Sequence, residues 1–129
     1  MPEIEVIKVE GLYEVFSPHA IRHNGVVYVS GCVPLDKDKK LVGRGDLAEQ
    51  TRKTLANLEL VLKAAGTDFS HLLKTTVFLT DISKKPLCDA VRREIFASRP
   101  PASTAVEVKG LGGDGIMIEL DAIAAMPSR

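Results

Sequence analysis

Residues 46–66, DLAEQTRKTLANLELVLKAAG, carry the pattern that decides the fold class of this 129-residue chain. Their apolar residues return every three or four positions, which is the repeat of an amphipathic helix. Asp46 occupies the expected N-cap with Glu49 three residues later, and Gly66 stands where a left-handed residue would end the helix. A helix over residues 47–65 is therefore predicted. Its buried stripe would comprise Leu47, Thr51, Leu55, Leu58, Val61, Leu62 and Ala65.

Strand-like segments lie on both sides of this helix. Residues 4–10 are rich in β-branched side chains, and residues 13–16 would continue that strand or form a second short element. The turn dipeptide Asn24-Gly25 precedes the β-branched residues 26–30, which predicts a hairpin. After the helix, the same criteria predict strands at residues 72–79, 103–108 and 116–125.

A second helix is predicted between the first two of these later strands. It would begin at Asp81 or Ser83 and end near Phe96, because residues 99–101 (RPP) disfavour helix. Its inward residues would be Leu87, Val91 and Ile95. The glycine-rich residues 110–115 precede a strand rather than a helix N-terminus, so they do not predict a phosphate-binding loop. We interpret them as a hairpin turn joining the last two strands.

The order β-β-β, helix, β, helix, β-β indicates an α+β fold with one mixed sheet covered on one face by two helices. The length indicates a single domain spanning residues 1–129. Two helices cannot cover both faces of such a sheet. We therefore expect subunits to pack their open sheet faces together, so that the protein is an oligomer.

Composition excludes several broad function classes. Seventeen Lys and Arg balance seventeen Asp and Glu, which argues against a nucleic-acid binder and against a polybasic membrane-surface protein. The N-terminus lacks the pattern of a signal peptide, and no apolar run reaches the length of a membrane span. The two cysteines form neither a disulfide framework nor a metal motif. We expect a cytoplasmic protein with reduced thiols.

Histidines and cysteines are the first candidates for chemistry. His19 and His23 are four residues apart, a spacing that converges on a metal only in a helix, and Pro18 argues against a helix there. We interpret these two and His71 as surface or loop residues and predict no metal site. Cys32 follows a predicted strand end and is either a reactive thiol or, as is more common, a buried and inert one. The other cysteine, at position 88, is interpreted as a core residue.

Two carboxylates on the last predicted strand are a stronger signal. Glu119 and Asp121 share one strand face because side chains alternate along a strand. That face is either exposed to solvent or lies in a cleft between subunits. In a cleft, one carboxyl would have a raised pKa and could handle a proton or orient a water molecule.

Several motifs together resemble one known family. In order, they are residues 30–34 (SGCVP), 64–66 (AAG), 74–81 (KTTVFLTD), 101–108 (PASTAVEV) and 118–124 (IELDAIA). They resemble the RidA/YjgF family of reactive-intermediate deaminases, also labelled L-PSP endoribonuclease-like, over nearly the whole chain. The resemblance implies a chorismate-mutase-like fold and a homotrimer with three clefts between subunits. It also implies hydrolysis of enamines or imines, such as 2-aminoacrylate, to a 2-keto acid and ammonia without metal or organic cofactor.

The chain departs from the family at positions that bear on function. Ser103 stands where active members carry an arginine that binds the substrate carboxylate, and a hydroxyl is a poor replacement for a bidentate guanidinium. Ala105 replaces a cysteine, Asp89 a frequent asparagine, and Arg92 a frequent aromatic residue. Glu119 is retained, and in the family this carboxylate is thought to position the attacking water.

The resulting site hypothesis names one catalytic residue, Glu119. The predicted substrate-binding residues are Ser30, Ser103, His19, Cys32 and Arg92. A guanidinium could be recovered by Arg92 or by Arg99. The ligand would be a small reactive metabolite of the enamine or imine type, hydrolysed or bound. A non-catalytic ligand-binding or regulatory homotrimer is the alternative. An endoribonuclease is a weaker one, because the chain has no net charge and 5% aromatic residues.

Overall fold

The computed structural model describes residues 3–128 and shows six strands and two α-helices within them. The strands are β1 (Glu5–Ile7), β2 (Ala20–His23), β3 (Val26–Cys32), β4 (Leu72–Leu79), β5 (Ala102–Glu107) and β6 (Ile118–Ala125). The helices are α1 (Leu47–Ala65) and α2 (Lys85–Ile95). Short 3-10 turns at Phe69–His71 and Ile82–Lys84 precede β4 and α2. The element order is the predicted one.

The six strands form one mixed sheet in the order β1-β2-β3-β6-β4-β5. The pairing of β4 with β5 is parallel and the other pairings are antiparallel. The predicted hairpin at Asn24-Gly25 is confirmed, with His23 opposite Val26. The interpretation of residues 110–115 as a hairpin turn is wrong, because β6 pairs with β3 and β4 rather than with β5. The glycine-rich segment is instead a connection that crosses past β4.

Helix α1 has the predicted ends and the predicted buried face. The Asp46 side chain accepts a hydrogen bond from the backbone N–H of Glu49. Gly66 has a φ of 91° and donates its N–H to the carbonyls of Leu62 and Lys63. Every residue of the predicted stripe is buried. Local capping and apolar periodicity therefore predict where this helix begins and ends and which face it buries.

Helix α2 differs from the prediction in the face that it buries. A 3-10 turn capped by the Asp81 side chain comes first, and the α-helix begins only at Lys85. The buried residues are Cys88 and Val91, whereas Leu87 is 51% exposed and Ile95 lies partly buried beside the core. Successive helix residues are rotated by about 100°, which carries Leu87 away from the sheet once Cys88 points inward. The prediction that position 88 is a core residue is confirmed.

The N-terminal part contains less strand than predicted. Only three residues of the predicted segment 4–10 pair as β1, and residues 13–16 form no strand. Residues 8–19 instead form a loop in which Tyr13 is almost fully buried. The backbone N–H of Val9 donates to a ring nitrogen of His19 rather than to a neighbouring strand. A side chain that satisfies the backbone explains why the strand stops.

The sheet has two unlike faces. The helix-covered face is built from alternate buried residues, Val27 and Val29 of β3, Val77 and Leu79 of β4, and Ile118, Leu120, Ala122 and Ala124 of β6. The open face carries the residues between them, Tyr28, Thr76, Phe78, Glu119, Asp121 and Ile123. The described helices pack on the first face. Of the helices within residues 3–128, none combines the length and apolar character that crossing a bilayer requires.

Candidate functional site

The carboxyl group of Glu119 lies half-buried on the open face, in the middle of the sheet. Its strand neighbour on β4 is Phe78, and Asp121 follows on the same face. Burial raises the pKa of Glu119 above its usual range, and the negative charge of Asp121 raises it further. A carboxylate with a raised pKa is a better proton acceptor, which is the property expected of a group that activates water.

A small pocket of about 110 Å³ adjoins Glu119. It is lined by Glu119 together with loop and β3 residues: Leu12, Tyr13, Val15, Ser17, His19, Ser30, Gly31, Cys32 and Val61. Four of the predicted site residues, Glu119, Ser30, His19 and Cys32, therefore lie around one cavity in a single chain.

Gly31 lets the Glu119 side chain lie against the backbone of β3. The register of β3 against β6 shifts between Val29 and Cys32, which is a β-bulge with one extra residue on β3. A Cβ atom added at Gly31 would lie 2.8 Å from the Glu119 carboxyl carbon, well inside normal contact. The glycine is therefore required by the position of the carboxyl group. Sequence reasoning missed this role, although an isolated glycine in a strand pattern indicates a bulge or a close approach.

Ser30 and Cys32 flank this glycine and have structural partners. The Ser30 hydroxyl donates to the carbonyl of Pro18 at 2.8 Å and so fastens the loop to β3. Burial raises the pKa of the Cys32 thiol to about 12, with further contributions from the charges of Glu119 and Asp121. A thiol with that pKa stays protonated at neutral pH, so it is no nucleophile. The interpretation of Cys32 as buried and inert is the one that the structure supports.

His19 is 5% exposed and is committed to the backbone through both ring nitrogens. Nδ1 accepts from the N–H of Val9 at 2.9 Å, so the proton of the neutral ring must lie on Nε2. Nε2 then donates to the carbonyl of Tyr13 at 2.8 Å. His19 lies in a loop, as the sequence predicts, but it is buried rather than at the surface, because its ring nitrogens satisfy backbone groups inside that loop. His19 thus lines the pocket and holds the surrounding loop in place.

Three further polar residues, absent from the sequence hypothesis, hold the loops around the site. The Tyr13 hydroxyl accepts from the N–H of Val33, and burial raises the pKa of this phenol. Asn57 of α1 donates to the carbonyls of Val33 and Leu35. Gln50 of α1 is fully buried and binds the backbone at three points: the carbonyls of Gly43 and Gly115 and the N–H of Met117. Amide side chains within the apolar stripe of a helix are the signal that could have found Gln50 and Asn57.

The remaining predicted residues, Ser103 and Arg92, form a second cluster at the β5 edge. The Arg92 guanidinium donates from Nη1 to the Ser103 hydroxyl at 2.8 Å and from Nη2 to Asp89 at 2.8 Å. A cavity of about 470 Å³ adjoins them. Its lining comprises Asp89, Arg92, Arg93, Phe96, Ala97, Pro100, Pro101 and Ser103. Arg99 lies elsewhere, bound to the carbonyls of Ser70 and Leu72.

A single chain does not bring the two clusters into one cleft. Ser103 is in register with Thr75, whose side chain is buried under the helices, so it points to the helix-covered side. Glu119 lies on the opposite, open face of the same sheet. A cleft that contains both residues requires a second subunit. Among residues 3–128, no three His, Cys, Asp or Glu side chains are grouped so that they could hold a metal ion.

Comparison with known proteins agrees with this architecture. The sequence model of the family described as Endoribonuclease L-PSP matches residues 12–126. A RutC family protein of Pyrococcus horikoshii is 34% identical over 122 residues, which cover 93% of this chain and 96% of that protein. The human 2-iminobutanoate/2-iminopropanoate deaminase is 33% identical over 121 residues, covering 94% of this chain and 87% of that enzyme.

A solved structure is equally similar. The Rid family protein YyfA of Yersinia pestis, whose function is unknown, superposes with a TM-score of 0.90 at 32% identity. The match covers 96% of this chain and 100% of YyfA. The fold is thus the α+β, chorismate-mutase-like one expected from the sequence. The family model and these relatives establish that the chain belongs to the RidA/YjgF family.

Proposed function

We propose that this protein hydrolyses a small enamine or imine metabolite in clefts between the subunits of a homotrimer. The observation that carries the proposal is the Glu119 carboxyl, half-buried on the open face, seated against Gly31 and raised in pKa by burial and by Asp121. A group of this kind is suited to accept a proton from water beside an electrophilic carbon. The human relative named as an imine deaminase supports the substrate class.

The trimer is proposed from the character of the open face. Tyr28 is 48% exposed there beside the partly exposed Ile123, and Phe78 is partly exposed opposite Glu119. Apolar surface of this kind is commonly covered by another subunit. The same contact would place the Glu119 carboxyl of one subunit near the β5 edge of the next. The site would then be completed by assembly.

The proposed reaction is an addition followed by an elimination. A water oxygen bonds to the imine carbon while Glu119 accepts one proton from that water, and the nitrogen takes up this proton to give a neutral carbinolamine. Glu119 then accepts the hydroxyl proton as the carbonyl forms and passes it to the nitrogen, so that the C–N bond breaks and ammonia leaves. For an enamine such as 2-aminoacrylate, protonation of the methylene carbon first gives the imine. The products are one 2-keto acid and one ammonia for each water consumed.

The test uses a coupled assay in which a dehydratase generates 2-aminoacrylate from serine. We expect the purified protein to accelerate keto-acid release above the spontaneous rate. Glu119→Gln should lower the enzymatic rate by about a hundredfold or more, because general-base contributions are typically of that size. Glu59→Gln on α1 is the matched control and should keep the full rate. The absence of any acceleration by wild-type protein contradicts the proposal.

A non-catalytic ligand-binding trimer is the second candidate. The observation that favours it is the hydroxyl of Ser103, which stands at the position where the family resemblance leads us to expect an arginine. If wild-type protein is inactive, Ser103→Arg separates two explanations. A gain of hydrolysis would assign the inactivity to the missing guanidinium alone. Continued inactivity with retained binding of a keto acid would support the binding protein.

A further inference from the structure

We propose that Arg92 of α2, together with Ser103 of β5, binds the carboxylate of a small organic acid in the cavity at the β5 edge. The proposal rests on the proposed function in one respect, because the acid would be the substrate or product of that same site. In this proposal an arginine of helix α2 recognises the anion, and Ser103 on strand β5 contributes a hydroxyl.

The first argument is the unused hydrogen-bonding capacity of the guanidinium. An arginine has five N–H donors, and Arg92 uses one on Nη1 for Ser103 and one on Nη2 for Asp89. Its Nε is buried and has no hydrogen-bond partner among residues 3–128. One further N–H on each terminal nitrogen is therefore left for a ligand, since the Nε atom is buried. Because the Ser103 oxygen acts as an acceptor for Arg92, its own O–H can donate to the same ligand.

The second argument is the charge of the cluster. Asp89 binds Lys85 at 2.6 Å and Arg92 at 2.8 Å. Burial by itself would raise the pKa of Asp89, but hydrogen bonds from Arg92 and Lys85 outweigh burial and hold that pKa below its usual range. Asp89 is thus ionised, and it positions the guanidinium without neutralising the site. Two cations, Lys85 and Arg92, therefore pair with one carboxylate, which leaves this cluster with a net positive charge.

The third argument is the shape and lining of the cavity. Its volume of about 470 Å³ lies in the range of small-molecule sites. Phe96, Pro100 and Pro101 form an apolar wall in the same cavity. An apolar wall beside a cationic group favours a ligand that has a carboxylate at one end and a short hydrocarbon part at the other. A free inorganic anion would leave that wall uncovered.

The test measures binding of 2-oxobutanoate by isothermal titration calorimetry, with 2-oxobutanamide as the uncharged analogue of the same size. We expect Arg92→Gln to weaken 2-oxobutanoate binding about tenfold to a hundredfold, as loss of a charge-assisted contact does. Ser103→Ala should weaken it severalfold. Binding of the amide should be weak in wild type and the same in both variants.

Arg93→Gln is the matched control, because it removes the same charge from the same helix and the same rim. It should change the affinity by less than about threefold. An equal loss in Arg93→Gln and Arg92→Gln would mean diffuse attraction and would overturn the proposal. Thermal unfolding of each variant identifies a fold defect, and Ser103→Ala, at an exposed strand position, decides the question if Arg92→Gln fails to fold.

The two proposals fail in different ways. Carboxylate binding that depends on Arg92 in a protein without hydrolytic activity would leave this inference standing and remove the proposed function. Hydrolysis with an unchanged KM in Arg92→Gln would support the proposed function and would overturn carboxylate binding by Arg92.

Discussion

The helix-covered face and the open face of the sheet are built from the same strands but have different roles, one in stability and the other in the candidate site. On β6, Leu120 has no exposed surface, whereas Glu119 and Asp121 beside it are only half-buried. Alternation along a strand produces this contrast, since neighbouring side chains point to opposite faces. The covered face supplies the apolar burial that stabilises the fold. The open face holds carboxylates close to apolar surface and leaves them accessible, which is the condition for reactivity.

The largest expected effect is a loss of stability on substitution in the helix-covered face. Leu120→Ala removes a fully buried side chain from the centre of the sheet and should lower the free energy of unfolding by about 2–5 kcal/mol. Leu60→Ala on α1, where the side chain is 45% exposed, should cost less than about 1 kcal/mol. Chemical denaturation measures both. A similar loss in the two variants would contradict the assignment of stability to the covered face.

The next effect concerns what covers the open face. Tyr28→Lys places a charge where the proposed trimer buries apolar surface, and we expect association to weaken by more than tenfold. Leu60→Lys is the control, since Leu60 is about as exposed as Tyr28 but lies on α1. Native mass spectrometry reports the oligomeric state. A monomeric wild-type protein would show that the open face is not an interface and would remove the inter-subunit cleft.

A smaller effect sharpens the role of the bulge in β3. Gly31→Ala should displace the flexible Glu119 side chain, because the added Cβ would lie 2.8 Å from its carboxyl carbon. We expect hydrolysis to fall about tenfold to a hundredfold, since small misplacements of a reacting group have effects of that size. The free energy of unfolding should change by less than about 1 kcal/mol. Gly110→Ala, where an added Cβ meets open space, should keep full activity.

The smallest effect is the dependence of stability on pH at Glu119. Its pKa is raised by burial and by Asp121, so the folded chain holds this proton more tightly than the unfolded chain. The contribution of Glu119 to stability is therefore present at low pH and falls as the pH rises from about 4.5 through the raised folded pKa. Glu119→Gln should gain stability relative to wild type across that window, by less than about 1 kcal/mol for a half-exposed group.

Denaturation of Glu119→Gln and wild type at several pH values measures this difference. Leu60→Ala, which removes no titrating group, should show no such trend. A difference that stays constant from pH 4 to pH 7 would mean that burial on the open face does not perturb this carboxyl.

Local signals predicted the helices and strands well where neighbouring residues decide the conformation. Asp46 and Gly66 end α1 as expected because caps depend on residues within one turn. The face of α2 was predicted less well, since Leu87 and Cys88 are both apolar and only packing on the sheet selects between them. The place of β5 beside β4 was missed because strand order depends on contacts between distant segments.

The candidate site divides along the same line. The sequence by itself determined the family, the caps of α1 and the alternation that puts Glu119 and Asp121 on one strand face. Only the tertiary structure decided three contacts. The Glu119 side chain lies against Gly31, the ring of His19 is hydrogen-bonded to the backbone, and Arg92 donates a hydrogen bond to Ser103. Of these contacts, only the one between His19 and Tyr13 joins residues fewer than ten positions apart. Such contacts form only when the sheet and helices pack, and composition or periodicity within one segment carries no record of them.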